Sequence, residues 1–367
     1  MNLSLPRATC ESEWRARGSD SNDKQAKDSA MNKVRTTVLA AALMAASAYT
    51  LAANQVSMVQ VNLAGAEFAG GTLPGRPNYD YMFPTTTSLN AWKANGITVV
   101  RVPVLWERLQ PVLNQPLDSV YAKLIDKTLS MANDRGMTVI LDIHNYGTYR
   151  TKLIGSTDVT LSQYANLMWR VADRWKGNPG LNGYDIMNEP HDAFDAGWPA
   201  AAQAGINGIR RFDTVKPIYI EGRSWSSADR WATVNGPLLT LRDPSNNLIF
   251  SAHLYFDADA SGTYKTGPGD NFDLDIGVKR ATAFVEWLKR NNRRGHIGES
   301  GIPGNDPRWT QAMDRLLTYL QKHCVPLTYW AAGPLWGDYP LSIEPRAGVV
   351  KAQWTVLSKY VQTQSCP

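Results

Sequence analysis

Eight short apolar runs, rich in β-branched and aromatic residues, recur along the chain at intervals of roughly thirty to forty-five residues. They are MVQVNLAG (58–65), ITVVRVPV (97–104), MTVILDIHNY (137–146), GYDIMNEP (183–190), KPIYIEG (216–222), NLIFSAHLY (247–255), RGHIGES (294–300) and PLTYWAAG (326–333). Helical patterns lie between most of them, and strand–helix alternation favours parallel strands with helical crossovers. Eight such units predict an α/β fold of one domain, a closed (β/α)8 or TIM barrel.

The segment 118–136 illustrates how the helices are predicted. Asp118 can cap its start, apolar side chains fall on one face, and Gly136 stands where a left-handed C-terminal cap is expected. Similar patterns predict helices at 161–175, 275–292 and 306–323. The alternative, an open doubly wound sheet, usually carries G-x-G-x-x-G after its first strand, and VNLAGAEFAGG (61–71) lacks that motif. A nucleotide-binding fold is therefore disfavoured.

Residues 31–53, MNKVRTTVLAAALMAASAYTLAA, have the pattern of a secretory signal peptide. Two basic residues precede an apolar stretch, and small residues suited to cleavage end it. The stretch is too short and too rich in alanine to favour a permanent membrane span. Residues 1–30 are polar, so they are either a disordered leader or a mis-assigned start upstream of Met31. We therefore predict one folded domain, 55–367, exported to the periplasm or the extracellular space.

Composition restricts the partners and the redox state of this domain. Cys324 and Cys366 are the cysteines left after signal removal. Exported chains commonly pair such cysteines, so one disulfide is predicted, with two free thiols as the alternative. A net charge of +5 over 367 residues is modest, and no basic run with interleaved aromatics appears. Nucleic acid is therefore not an expected partner.

Polar residues collect at the C-terminal ends of the predicted strands, where barrel enzymes carry their active groups. They are Arg101, His144, Asn188, Glu189, His253, Tyr255, Glu299 and Trp330. A lone histidine at a strand end is more often structural than catalytic. So many polar strand ends at one rim, however, indicate an active site.

Glu189 and Glu299 lie on the fourth and seventh predicted strands and should face each other across the barrel mouth. Two facing carboxylates can split a glycosidic bond, because one protonates the leaving oxygen and the other meets the positive charge developing at the anomeric carbon. A separation of about 5 Å would retain configuration, and about 6.5–9.5 Å would invert it. The alternative is two unrelated rim carboxylates in salt bridges.

The neighbours of the two carboxylates suggest their roles. Arg101 and the Tyr255 hydroxyl can keep Glu299 ionised as a nucleophile. Glu189 follows Asn188, whose amide can hold a sugar hydroxyl, and therefore fits the general acid.

Other kinds of chemistry fit the pattern less well. A metal centre could use His144, His253 and the two glutamates, but no H-E-x-x-H or clustered Cys/His spacing appears. A serine nucleophile is disfavoured because no G-x-S-x-G elbow occurs. Glu221 is interpreted as structural or substrate-contacting. We therefore predict neither a metal nor a cofactor.

The motifs resemble those of glycoside hydrolase family 5, the large retaining group of (β/α)8 cellulases and mannanases. IMNEP (186–190) looks like its acid/base motif and GES (298–300) like its nucleophile motif. The supporting strand ends are RVPV (101–104), DIHNY (142–146), AHLY (252–255) and YWAAGP (329–334). The resemblance covers about residues 58–360, and VNLAGAEF with YWAAGPLWGDY looks most like the endo-β-1,4-glucanase branch.

The resemblance implies double displacement without a cofactor, with Glu299 as nucleophile and Glu189 as acid/base. The residues that would ionise the nucleophile or contact the sugar are Arg101, Tyr255, His144, Asn188 and His253. The chain has 13 tryptophans, and most are expected to fill the core. Those predicted to stack on sugar rings, together with one tyrosine, are Trp330, Trp225, Trp336, Trp106 and Tyr79.

The expected protein is thus a secreted, monomeric endo-β-1,4-glucanase acting on cellulose or a related soluble β-glucan, without a membrane partner once the signal is removed. A β-mannanase of the same family is the nearer alternative, and hydrolysis of carboxymethyl cellulose versus galactomannan separates the two. A non-catalytic glycan-binding barrel is the other, but such a barrel has no need of the second carboxylate.

Overall fold

The computed structural model describes residues 55–345 and 349–366, and the predicted leader (1–30) and signal peptide (31–53) lie outside these residues. Its strands are β1 (Gln55–Ser57), β2 (Val59–Leu63), β3 (Val99–Val104), β4 (Thr138–Ile143), β5 (Thr148–Tyr149), β6 (Lys152–Leu153), β7 (Leu181–Asp185), β8 (Ile218–Glu221), β9 (Leu248–His253), β10 (Arg294–Ser300), β11 (Leu327–Ala332) and β12 (Thr363–Ser365). Eight of them close into a parallel barrel in the order β10-β11-β2-β3-β4-β7-β8-β9. All eight predicted strands and the barrel fold are confirmed.

Helices cross over between consecutive barrel strands. In the described residues they are α1 (Thr86–Ala94), α2 (Trp106–Leu109), α3 (Ser119–Asn133), α4 (Leu161–Trp175), α5 (Trp198–Arg210), α6 (Trp231–Val234), α7 (Ile276–Arg290), α8 (Pro307–Lys322) and α9 (Ala352–Leu357). The predicted cap of α3 is confirmed, since Asp118 accepts the amide N–H groups of Val120 and Tyr121, and Gly136 adopts φ 61°. None of the helices described here combines the length and the apolarity that crossing a bilayer requires.

The helix α5 was not predicted, because two glycines and a proline lower the helix propensity of its sequence. The structure shows what these glycines provide. A Cβ atom on Gly208 would lie 2.6 Å from the Ala165 carbonyl oxygen, and one on Gly205 would lie 3.2 Å from the Tyr164 ring. The glycines therefore let α5 pack closely against α4.

Strand register places a polar layer inside the barrel. Asn62 on β2 pairs with Arg101 on β3, and Asp142 on β4 pairs with Asp185 on β7. Residues in register point to the same face of a sheet, and these four side chains are all fully buried. The apolar residues of the same strands alternate with them and contact the helices. The barrel thus has an apolar outer core and a polar interior toward its C-terminal end.

The predicted disulfide is confirmed. Cys324 and Cys366 are bonded, with their Cα atoms 5.8 Å apart and a sequence separation of 42 residues. The disulfide joins the turn between α8 and β11 to the residue that follows β12. The strand β12 itself pairs with β1 in a separate two-stranded sheet. Loop closure of this kind stabilises a fold mainly by restricting the unfolded chain.

Replacing both cysteines by serine is expected to lower the free energy of unfolding by about 3–4 kcal/mol, because the unfolded chain regains the entropy of a long loop. Urea denaturation of the wild type and of the double variant measures the difference. As a control, a reducing agent should lower the midpoint of the wild type and leave that of the double variant unchanged. Equal midpoints for the two oxidised proteins would contradict the prediction.

Candidate active site

One arginine contacts several buried polar side chains at the C-terminal end of the barrel. Arg101 on β3 is fully buried, and its Nη1 and Nη2 atoms each lie 2.8 Å from a carboxylate oxygen, of Glu299 and Glu221 respectively. Its Nε donates to Asp185 at 2.9 Å, and Nη2 lies 3.0 Å from Asp142. These four carboxylates come from four other barrel strands. The guanidinium fork can hold them together because its donors point in several fixed directions.

Two amide side chains complete the contacts of Arg101. Nη1 also donates to Asn62 Oδ1 at 3.0 Å, and Nη2 to Asn188 Oδ1 at 2.9 Å. The Asn188 Nδ2 group is buried and has no hydrogen-bond partner among the described residues. Arg101 thereby fixes the orientation of the Asn188 amide and leaves its donor available.

Asp142 and Asp185 lie side by side and were not predicted from the sequence as part of the site. Each has a buried Oδ1 atom without a hydrogen-bond partner within the described part of the chain. Burial, together with the charge of Glu221, raises the pKa of Asp185 well above its ordinary value in spite of Arg101. A proton on Asp185 relieves the repulsion among the carboxylates around the single guanidinium.

Glu189 and Glu299 meet at the barrel mouth. One carboxylate oxygen of each lies within 4.8 Å of the other and of a His253 ring nitrogen. His253 Nδ1 is 2.7 Å from Glu189 Oε1 and 3.5 Å from Glu299 Oε2, and Nε2 is 3.0 Å from Glu221 Oε1. The two distant sequence motifs therefore converge on one imidazole ring.

The carboxylates around His253 keep the ring charged. Burial alone lowers the pKa of His253, but the charges of Glu221 and Glu299 outweigh it and hold the pKa well above its ordinary value. Burial likewise disfavours ionised Glu221, yet His253 and Arg101 lower the pKa of Glu221 to about 2. Glu221, interpreted from the sequence as structural or substrate-contacting, is thus a buried anion that holds both cations.

The cluster of Glu189, His253 and Glu299 is compact enough to raise the question of a metal ion. A histidine ligates a metal only when a ring nitrogen is deprotonated. Both ring nitrogens of His253 contact carboxylates, and its raised pKa favours the imidazolium form. The donor set therefore fits a hydrogen-bonded carboxylate pair better than a metal centre.

Glu299 has the neighbours that the sequence predicted. It is buried, and it accepts hydrogen bonds from Arg101 and from the Tyr255 hydroxyl, the latter at 3.0 Å. Burial raises the pKa of Glu299 and the charge of Glu189 adds to this, while His253 and Arg101 act in the opposite direction. The result is a pKa above the ordinary value.

Glu189 occupies a strained turn after β7. Its φ is 41°, in the left-handed region that non-glycine residues seldom adopt. The amide N–H of Glu189 donates to Glu221 Oε2 at 2.6 Å, and the side chain accepts from His253. Such strain persists where surrounding contacts determine the geometry, and here they aim the Glu189 carboxyl toward Glu299.

His144 and Trp330 lie against each other at the barrel mouth. The His144 ring stacks on Trp330 with ring centroids 5.6 Å apart and an interplanar angle of 9°. Its Nδ1 lies 2.7 Å from Asp142 and its Nε2 lies 3.1 Å from the Tyr146 hydroxyl. Burial lowers the pKa of His144, but the Asp142 carboxylate outweighs it and raises the pKa above its ordinary value.

Two cavities lie among the residues that follow the C-terminal ends of the barrel strands. The first, which we call the Trp225 cavity, has about 520 Å³ and is lined by Glu189, His253, Tyr255 and Trp225 among others. The second, the Trp330 cavity, has about 530 Å³, and its lining includes His144, Tyr146, Trp330 and Trp336. Both volumes fall within the range of small-molecule sites.

The predicted aromatic residues differ in their placement. Trp225, Trp330 and Trp336 line these cavities. The prediction for Trp106 is wrong, because its side chain is fully buried against Tyr149 and offers no surface to a ligand. Tyr79 is 70% exposed and packs against Arg76, away from the residues that line either cavity.

Glu67 lines the Trp330 cavity and was not predicted to belong to the site. The sequence signal was its position just after the first barrel strand, within the glycine-rich stretch considered for phosphate binding. Its Oε2 accepts the Gly65 amide at 2.8 Å, and burial raises its pKa to about 7 in spite of nearby His144. This carboxyl therefore gains and loses its proton near neutral pH.

Comparisons with known proteins agree with this geometry. The sequence model described as cellulase (glycosyl hydrolase family 5) matches residues 60–335. A probable endo-β-1,4-glucanase B of Neosartorya fischeri is 34% identical over 320 residues, which cover 85% of this chain and 94% of that protein. Endoglucanase 3 of Humicola insolens is also 34% identical, over 82% of this chain and 76% of that protein.

Solved structures show the same similarity. The endoglucanase Cel5A of Pseudomonas stutzeri in complex with cellobiose superposes with a TM-score of 0.81 at 45% identity, covering 83% of this chain and 92% of that chain. XacCel5A in complex with cellopentaose superposes with a TM-score of 0.78 at 36% identity, covering 83% and 99% of the two chains.

Arg101→Leu is expected to lower the free energy of unfolding by at least about 3–5 kcal/mol, because it leaves buried carboxylates without their cation. Urea denaturation, or the yield of folded protein by circular dichroism, checks this. The matched control is Arg76→Leu, which removes an arginine paired with Asp80 at the surface and should change stability little. Similar effects of the two substitutions would refute the central role of Arg101.

Proposed function

The chain belongs to glycosyl hydrolase family 5, and we propose that it is a secreted, retaining endo-β-1,4-glucanase that cleaves internal bonds of cellulose or related soluble β-glucans. Its relatives named above are glucanases, and on this basis the chain is a cellulase of the endo-1,4-β-glucanase type. The same names disfavour the mannanase alternative. The carboxylate pair disfavours the non-catalytic barrel.

The retaining mechanism rests on the separation of Glu189 and Glu299. One carboxylate oxygen of Glu189 lies within 4.8 Å of one carboxylate oxygen of Glu299. Retaining glycosidases hold their carboxyl groups about 5–5.5 Å apart, whereas inverting enzymes need about 6.5–9.5 Å to admit a water molecule. The observed separation supports direct attack by one carboxylate on the sugar.

In the first step, Glu299 is the nucleophile. One of its carboxylate oxygens forms a bond to the anomeric carbon while the bond from that carbon to the glycosidic oxygen breaks. The proton of the Glu189 carboxyl passes to the departing oxygen, and a covalent glycosyl-enzyme remains. Arg101 and Tyr255 hold Glu299 in position by the two hydrogen bonds to its carboxylate.

In the second step, Glu189 acts as a base. It takes a proton from a water molecule whose oxygen attacks the anomeric carbon, and the ester bond to Glu299 breaks. His253 assists the first step, because its ring donates to Glu189 Oε1 and stabilises the carboxylate that forms when Glu189 gives up its proton. No other group is required to balance the reaction.

The two cavities support cleavage within a chain. The Trp225 cavity, which is lined by Glu189, and the Trp330 cavity, which is lined by His144, are nearly equal in volume. A polysaccharide can therefore bind sugars on both sides of the scissile bond. The buried Asn188 Nδ2 group, which has no hydrogen-bond partner among the described residues, and the stacked His144 and Trp330 rings offer contacts at the cleavage site itself.

Secretion is supported by the Cys324–Cys366 disulfide, since such bonds persist in oxidising compartments. The signal-peptide pattern at 31–53 agrees with it. We expect the secreted enzyme to act as a monomer, because every residue of the proposed mechanism comes from one chain.

The covalent intermediate gives the decisive experiment. A 2-deoxy-2-fluoro-β-cellobiosyl fluoride should inactivate the enzyme with time and label the peptide that contains Glu299, as read by mass spectrometry. Glu299→Gln should not be labelled, and its kcat on a soluble glucan should fall at least about 10³-fold, as expected for loss of a nucleophile. Its thermal unfolding should remain close to that of the wild type.

Glu286→Gln serves as the control, because Glu286 is a surface residue of α7 paired with Lys289. It should keep full activity and be labelled at Glu299 like the wild type. Labelling elsewhere, or ordinary turnover by Glu299→Gln, would refute the assignment.

The pH dependence follows from Glu299. Its pKa is raised, chiefly by burial, above the ordinary 4.5 of a glutamate. A nucleophile must be deprotonated, so kcat/KM should fall as the pH drops through this raised pKa, and the acidic limb should lie above pH 4.5. Tyr255→Phe removes a donor to the carboxylate and should move the limb to higher pH. An acidic limb at or below pH 4.5 in the wild type would contradict the prediction.

A further inference from the structure

A row of three rings crosses the rim between the two cavities. Tyr146 lines the Trp330 cavity and Trp225 lines the Trp225 cavity. His191 lies between them, with its ring 4.6 Å from that of Trp225 at an interplanar angle of 6°, and 6.1 Å from that of Tyr146. The His191 and Trp225 rings are therefore stacked face to face.

His191 covers only one face of the indole. It is not among the residues that line the Trp225 cavity, whereas Trp225 is, and 41% of Trp225 remains exposed. One face of the indole therefore rests on the imidazole and another part of its surface is open to the cavity. A flat ring supported from behind offers the kind of apolar surface on which the C–H face of a sugar stacks.

The backbone around Trp225 is built to hold this orientation. Ser224, Trp225 and Ser226 have φ angles of 57°, 56° and 54°, three consecutive left-handed residues that are not glycine. Such a conformation persists only where surrounding contacts enforce it. The Ser224 amide donates to Asp195 at 2.8 Å, and the Ser226 hydroxyl donates to the Ser251 carbonyl at 2.6 Å.

The same loop is joined to the acid/base residue. The Trp225 amide donates to the Pro190 carbonyl at 3.1 Å, next to Glu189 in the chain. The His253 amide donates to the Ser226 carbonyl at 2.8 Å, and the His253 ring contacts Glu189. The position of the indole is thereby fixed relative to the group that protonates the departing oxygen.

We propose that His191 is a positioning residue that sets the plane of Trp225, the tryptophan predicted above to stack on a sugar ring, on the leaving-group side of the scissile bond. The side follows from Glu189, which lines the same cavity and which delivers its proton to the leaving oxygen. The proposal rests on the proposed function and adds a specificity determinant to it. It assigns to His191 no contact with the reacting atoms.

Two substrates separate this role from the chemistry. Cellopentaose places sugars on the leaving-group side, whereas β-cellobiosyl fluoride has only a fluoride ion as its leaving group. His191→Ala should lower the ratio of kcat/KM for cellopentaose to that for the fluoride about three- to tenfold, mainly through KM, which is the range that one aromatic contact provides. His191→Phe keeps a flat ring and should restore the ratio to within about twofold of the wild type.

Trp225→Ala should give the same loss as His191→Ala, and the double variant should be no worse than Trp225→Ala alone, because both substitutions remove one platform. An unchanged ratio in His191→Ala, an equal loss on both substrates, or no rescue by phenylalanine would overturn the role of His191. If the wild type hydrolysed neither substrate, the proposed function itself would fail. Hydrolysis of both with His191→Ala indistinguishable from the wild type would overturn this inference alone.

Discussion

The structure depends on the burial of one guanidinium among carboxylates. An unpaired charge in the protein interior is very unfavourable. Arg101 can therefore be buried only together with its carboxylate partners. Arg101 contacts carboxylates of β4, β7, β8 and β10, and the barrel brings these strands close enough to supply them. The proposed nucleophile, Glu299, is one of these carboxylates, so the contacts that hold the barrel mouth together also orient this group.

A second cation connects this network to Glu189, the proposed acid/base residue. His253 contacts Glu221 below and Glu189 above, and the raised pKa of His253 favours the charged form of its ring in both contacts. Glu221 connects the two cations, because it also binds Arg101. The two proposed catalytic carboxyls therefore differ in environment although they lie close together: Glu299 is buried against Arg101, and Glu189 lies on a strained turn at the edge of solvent.

Sequence periodicity predicted the barrel because each buried strand is a short apolar run that ends in polar residues at one rim. The proximity of Glu189 and Glu299 followed from the same regularity. The helix α5 escaped prediction because its glycines serve packing against α4 and not local propensity. The prediction for Trp106 was wrong because the side chain of a tryptophan just after a strand can point into the core or into the barrel mouth. Only tertiary packing determines which of the two it does. The roles of Glu221, Asp185 and Glu67 depend on charged groups that are distant in sequence and that the fold brings together. A local sequence pattern cannot predict such contacts.

The carboxyl of Glu67 makes the electrostatic character of the mouth vary near neutrality. With a pKa of about 7 in the Trp330 cavity, it is uncharged in mildly acidic solution and carries a negative charge in mildly alkaline solution. A polymer bearing carboxymethyl groups is repelled by the charged form, while an unsubstituted glucan is not. The apparent optimum measured on the anionic polymer should therefore be displaced toward acid relative to that on the uncharged one, so the choice of assay polymer itself changes which optimum is observed.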